Sequence, residues 1–316
     1  MLYIYFVIHK KNHIKNQLEN FTITIHEAHD SSYRNIFHSG IRFFILGISS
    51  IIVWNTDNLV ISHFMNITLI TPYSITFKLY TVTFSVIFIL NSSISPILSK
   101  ELGKNNLELI SKVHQMYLIF MALVGGMAWI GGILFLKNII ILWTGISGYA
   151  GLMVVICFGG YAYLLSMVNI NANLLNVLNR INSVLWISWL EAIFNITASI
   201  ILLHYFGLGG VAMGTLLGAL IGPTIFLPLS IRRQSNNRIQ CDYTVIKQHF
   251  FYVLTPSLLV ALSTNLFITN AIFNIVVGVA ISIIYCITSY YIIPIELRHM
   301  VHNKFINPFL RLINVK

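Results

Sequence analysis

Residues 41–64 read IRFFILGISSIIVWNTDNLVISHF. This run decides the fold class. It is long enough, at about 20 helical residues per ~30 Å of hydrocarbon, to cross a bilayer as a helix. It also carries one acid, Asp57, in its interior. The rest of the 316-residue chain repeats the pattern. Apolar residues make up 57% and charged residues 9%, against about 25% charged in an ordinary soluble domain. Mean hydropathy is +0.80. So few charges cannot cover a water-exposed surface of this size, and a disordered chain would need the opposite composition. Lipid is the solvent that accepts such an exterior.

Seven further apolar runs follow: Tyr73 to Leu98, Met116 to Leu136, Gly148 to Val168, Val184 to Leu203, Gly209 to Leu229, Phe250 to Ile268 and Ala271 to Ile293. They are too long for barrel strands and lack strand alternation. The fold class expected is all-α, a polytopic membrane protein with about eight transmembrane helices. Lys and Arg orient it. Seventeen of the nineteen, from Lys10 to Lys316 and including the border residue Arg42, fall in one alternating set of loops and tails. Only Lys137 falls in the opposite set, and Lys78 lies inside a span. Basic residues gather on the cytoplasmic side, so both ends of this segment are expected there. The net charge of +10 is explained in the same way. No basic stripe with interleaved aromatics argues for nucleic acid.

Three intramembrane charges stand out: Asp57, Lys78 and Glu191. Each costs roughly 2.5–3.5 kcal/mol at the bilayer centre on insertion scales, so each should face a cavity or a partner. Asp57 and Lys78 lie at similar distances from the turn near Thr68, which places them at similar depth. They are expected to share a polar site. It would either fix the hairpin or form the charged wall of a solute cavity. Glu191 could serve as a proton or cation site, or be held by Asn195 one turn on. Asn169, Asn173, Asn176 and Arg180 share one helical face and read as polar helix glue. Gly210, Gly214, Gly218 and Gly222, at i+4 spacing, form a ridge for close helix contact.

Catalytic motifs are missing. His26, Glu27 and His29 form HExH, not the zinc motif HExxH. Cys157, Cys241 and Cys286 are dispersed and make no metal or disulfide framework. No enzyme, metal or cofactor is expected.

The stretch from Ser39 to Tyr80, with Asp57-Asn58, Pro72-Tyr73 and Lys78-Leu79, resembles a span and hairpin of the polysaccharide (O-antigen/oligosaccharide) flippases. These belong to the multidrug/oligosaccharidyl-lipid/polysaccharide, MATE-like, transporter superfamily. EAIFNITASIILLHYFGLGGVAMGTLLGALI (Glu191 to Ile221) and ILNSSISPILSKELGKNN (Ile89 to Asn106) are similar to that family as well. The resemblance covers Ser39 to Ser230. It implies two six-helix lobes about a central cavity, of which residues 41–229 would form one. Residues 249–293 would add an extra helical pair, 230–248 a cytoplasmic loop and 294–316 a cytoplasmic tail. Residues 1–40 would be the remnant of a span with a connector, and most of the first lobe would be lacking.

The implied function is to flip polyprenyl-pyrophosphate-linked oligosaccharide across a bacterial inner membrane for surface polysaccharide, such as O-antigen, biosynthesis. Implied partners are that lipid, membrane lipids and other polysaccharide assembly proteins. On this basis Lys78, Asp57, Tyr73, Tyr80 and Arg42 are expected to bind substrate. Lys78 suits a pyrophosphate, and Tyr73 or Tyr80 suits a sugar face. Glu191 and Asn195 are the expected ion site. Two rivals are a cation-coupled drug or metabolite antiporter of the same superfamily, and a membrane-embedded enzyme acting on lipid-linked sugars.

Overall fold

The computed structural model describes residues 29–239, 242–267 and 271–292. Every regular element among them is helical. In chain order these are α1 (His29–Phe64), α2 (Ile70–Ser92), α3 (Ser95–Gly103), α4 (Leu107–Thr144), α5 (Leu152–Val177) and α6 (Ile181–Phe206). Then come α7 (Leu208–Ile221), α8 (Pro223–Gln234), α9 (Thr244–His249), α10 (Thr255–Phe267) and α11 (Ala271–Ile292). A π-helical turn, Phe250–Leu254, joins α9 to α10. Eight helical stretches among the described residues are long and apolar enough to cross a membrane.

Local chemistry punctuates these helices. Asn66 and Asn106 accept the backbone N–H of Thr68 and Leu109 at 3.1 and 3.2 Å, the usual way to satisfy an orphan donor at a helix start. Gly145 and Gly151 take φ of +80° and +104° between α4 and α5, where an L side chain would be strained. Asn105, Asn179, Asn236 and Asn237 also have positive φ, a conformation Asn tolerates better than most residues.

The second apolar run is broken at Ser93 and Ile94, and Pro96 sits in the first turn of α3. Several helices outrun their apolar runs. The 38-residue α4 is about 57 Å long at 1.5 Å per residue. The hydropathy window reports only the part that matches hydrocarbon, while the hydrogen-bonded helix continues beyond it. Likewise helix runs on to Gln234 and resumes at Thr244, within the stretch expected as the loop 230–248. The tail 294–316 lies outside the described residues.

The chain divides into two units, residues 1–47 and 48–316. The described part of the first is the helical stretch from His29 to Gly47, which contains Arg42. In the second unit α5 is central. Of its most apolar window 83% is buried, against 28% for the span of α6. It packs against α4, α2, α7 and α8. Tyr285 on α11 donates to the Leu123 carbonyl at 3.1 Å, and Asn265 on α10 to the Ile133 carbonyl at 2.6 Å. These bonds fasten the last two spans to α4. The outer faces carry Leu142, Trp186, Phe251 and Phe267, all strongly exposed, as a lipid-facing surface requires.

The glycine ridge of α7 packs against α6. A Cβ on Gly214 would lie 2.6 Å from Ser199 Cα, and one on Gly218 3.1 Å from the Asn195 and Glu191 backbones. Backbone therefore meets backbone, as the i+4 spacing predicts. This close hairpin determines where the polar residues of α6 sit.

Candidate functional site

Asp57 lies about two turns below the Phe64 end of α1, and Thr215 about two turns into α7. Tyr73 is in the first turn of α2. These placements bring the three to one level. The Tyr73 hydroxyl donates to Asp57 Oδ2 at 2.6 Å, and Thr215 Oγ1 donates to the same oxygen at 2.9 Å. All three residues are buried. Asp57 Oδ1 has no hydrogen-bond partner. Beside this, Ser74 donates to Asn58 at 3.1 Å, and Trp54 Nε1 donates to the Tyr161 hydroxyl at 3.2 Å. Long aromatic and carboxylate side chains thus tie the second half of α1 to α2, α5 and α7.

The α6 face against the glycine ridge presents Glu191, Asn195 and Ser199 at successive turns. Ser199 donates to the Val211 carbonyl at 3.1 Å. Asn195 is fully buried, and neither its Oδ1 nor its Nδ2 has a partner. Glu191 is the next polar group toward the other end of α6. The Tyr161 hydroxyl lies within electrostatic reach of both Glu191 and Asp57. A buried polar atom left unsatisfied costs about 1–3 kcal/mol. The free acceptors are oxygens, Asp57 Oδ1 and Asn195 Oδ1. Oxygen donors suit a proton or a hard cation. Among the described residues no three His, Cys, Asp or Glu side chains are grouped to hold a metal ion.

Lys78 does not join this cluster. It is exposed on α2, and the donors to Asp57 are Tyr73 and Thr215 instead, both on Oδ2. The reason is rotational. Lys78 follows Tyr73 by five residues, so it is turned by about 140° around a helix of 3.6 residues per turn. Equal depth does not give equal direction. Lys78 falls off the buried stripe of Tyr73, Thr76, Tyr80, Phe84, Ile87 and Asn91.

Neither tyrosine offers a face to a sugar in this structure. Tyr73 is spent on Asp57. Tyr80 is buried, donates to the Val155 carbonyl at 2.9 Å, and lies where a Cβ on Gly132 would collide with it. Tyr73, Tyr80 and Phe158 form one aromatic core, with ring centroids 5.3–6.2 Å apart including Phe84. Arg42 sits on α1 in the first unit.

Thr215, Trp54 and Tyr161 were not singled out by sequence. A signal for Thr215 exists: it is the residue after Gly214, so it leaves the ridge for an adjacent face of α7.

A second polar group lies toward the other end of α5. Asn171 Oδ1 meets His114 Nε2 at 3.1 Å, and Asn171 Nδ2 donates to the Tyr243 hydroxyl at 3.1 Å. Asn173 donates to the Asn91 carbonyl at 2.8 Å and accepts from Ser95 at 2.7 Å. The expected asparagine glue is present at Asn173, whereas Asn171, on a different face, is the more buried residue.

Comparison with protein-family models, curated proteins and solved structures returns no match.

Proposed function

We propose that this chain is a membrane transporter that flips a polyprenyl-pyrophosphate-linked oligosaccharide across the inner membrane. Three things support the reading. The sequence resembles the polysaccharide flippases from Ser39 to Ser230. Eight helical stretches among the described residues are long and apolar enough to span a bilayer. The observation that carries most weight is the buried Asp57 carboxylate, with one oxygen bonded by Tyr73 and Thr215 and the other unpartnered. An intramembrane acid with an uncommitted oxygen can take up a proton or a small cation, which makes it a candidate coupling group.

In this reading the helices of residues 41–229 move between two arrangements around the transported headgroup. Asp57 gains or loses a proton or a small cation as it does so. The Asp57 contacts join α1 and α2 to α7, so a change at the carboxylate alters how those helices are held. Exposed Lys78 is available to a pyrophosphate as a point charge. The C-terminal tail is proposed to be cytoplasmic, on the strength of the basic asymmetry.

The unpartnered oxygens also favour a second reading, a cation-coupled antiporter for a smaller solute. Surface-glycan export in a bacterium stripped of its own flippase separates the two. The first reading expects restored export by the wild-type chain, and loss of it with normal abundance in Asp57→Asn. An antiporter would leave export at zero in both while conferring drug efflux on the wild type.

A further inference from the structure

A cavity of about 280 Å³ lies between α5, the α7–α8 segment and the α9–π-turn segment. It is separate from the Asp57 site. Its walls come from three spans. Leu164, Met167 and Val168 come from α5, Leu220 from α7, and Phe250 and Phe251 from the π turn. The wider π-helical turn presents these two consecutive phenylalanines at the wall, and such turns are often found at functional sites. Phe250 packs tilted against Tyr163, 5.8 Å between ring centroids, and both line the cavity. Phe251 is 65% exposed, so the side wall opens to the lipid face.

The other end of the cavity is polar and basic. Tyr243, Asn171 and Lys247 line it, and Lys247 is exposed. Arg232 and Arg233, also exposed, end α8. The one acid between residues 235 and 267 is Asp242. Its carboxylate accepts the Thr244 N–H at 2.8 Å, and the hydrogen bonds from Thr244 hold it below the usual carboxylate range. Asp242 is also tied to Gln115 through its backbone, so it serves the α9 start. A slot with apolar walls, a lipid-side opening and a cationic end matches an amphiphile with an anionic head. Ligand pockets run from about 300 Å³ upward, so this one takes part of one acyl chain and not a whole lipid.

We infer that the cavity between α5, α7–α8 and α9 binds an anionic phospholipid of the surrounding bilayer. Its phosphate lies at Lys247 and one acyl chain runs along Met167, Leu220 and Phe251. Basic pockets between membrane helices take anionic headgroups for this reason, at about fivefold in affinity per Lys near the surface. The lipid would wedge the seventh span against α5 and hold the added helical pair in place.

The test is native mass spectrometry and thermal melting of the purified chain with phosphatidylglycerol, phosphatidylethanolamine or a polyprenyl phosphate. The wild type should bind phosphatidylglycerol in preference to phosphatidylethanolamine and melt higher with it. Lys247→Gln, an exposed change that leaves the core intact, should lose roughly fivefold of that affinity. Leu220→Trp should fill the slot and abolish bound lipid. If Leu220→Trp does not fold, Phe251→Ala at the mouth should weaken binding instead. Equal binding of the two phospholipids by the wild type would overturn the inference, as would unchanged preference in Lys247→Gln. Displacement of phosphatidylglycerol by the polyprenyl phosphate at equal concentration would also overturn it, by giving the slot to the transported lipid.

Discussion

Replacing Gly214 by Ala adds a single methyl group, and the structure says what that group meets. The new Cβ would sit 2.6 Å from Ser199 Cα and closer still to Ser199 N and Oγ. Ordinary carbon contacts are about 3.5–4.0 Å. The α6 and α7 backbones must therefore part by roughly 1 Å, because the obstacle is backbone and cannot rotate away. Overpacking costs about 1–3 kcal/mol, and a backbone obstacle places this variant at the upper end. About 3 kcal/mol is a loss of roughly a hundredfold in the folded-to-unfolded ratio. Gly131 is the control. It lies mid-helix in α4 with nothing within 4 Å of an added Cβ. There Ala should be neutral or stabilise by up to about 1 kcal/mol. Gly218, at 3.1 Å, should fall between them. Abundance in the membrane and melting temperature in detergent should rank Gly131→Ala first, Gly218→Ala second and Gly214→Ala last. Equal melting of Gly214→Ala and Gly131→Ala would refute the claim that this hairpin depends on backbone contact.

Other expectations follow from named contacts. Tyr73→Phe removes one of two donors to Asp57 Oδ2 and should cost about 1.5–3 kcal/mol if that oxygen is charged, read as a lower melting temperature. Asp57→Asn keeps an acceptor for Tyr73 and Thr215, so it should melt close to wild type, while Asp57→Ala should not. Lys78→Ala combined with Asp57→Asn should give losses that add within about 0.5 kcal/mol, as for residues that share no contact; a coupling well above that in the melting temperatures would restore the ion pair. Tyr80→Phe should destabilise by only about 0.5–1.5 kcal/mol, the value of one hydrogen bond, because the Val155 carbonyl lies within α5 and keeps a helical donor, and it should have no specific effect on transport, since the hydroxyl is committed to the core.

The hydrophobic spans and the glycine ridge were legible because the first is a signal of length and the second a strictly periodic one. The i+4 glycines could mean little other than close approach, and Ser199 and Asn195 lie where the ridge requires a partner. Asp57 was legible because a charge in a lipid-length run is rare. What it bonds to was not. Depth can be counted from a turn, but direction around the helix depends on which face of α2 is buried. Apolar and small polar residues are mixed on every face of α2, so periodicity does not mark the buried one. The same limit hid the centrality of α5. Its mean hydropathy is close to that of the other spans, because lipid and protein interior favour the same residues. Its small residues were the remaining signal. A Cβ on Gly159 would collide with the Trp129 ring of α4, so a bulky side chain packs directly onto the α5 backbone there. Thr215 and Tyr243 are single polar residues whose partners come from distant segments, and no spacing rule joins them to Asp57 or Asn171.

The most direct test of the account is transbilayer movement of a labelled polyprenyl-pyrophosphate oligosaccharide in vesicles that contain the purified chain. Wild type and Asp57→Asn are compared at equal protein density, with equal melting temperature confirmed beforehand. The account expects movement above protein-free vesicles in the wild type, a rate that responds to an imposed proton or sodium gradient, and neither property in Asp57→Asn. Movement at the wild-type rate in Asp57→Asn, or none above protein-free vesicles in the wild type, would contradict it.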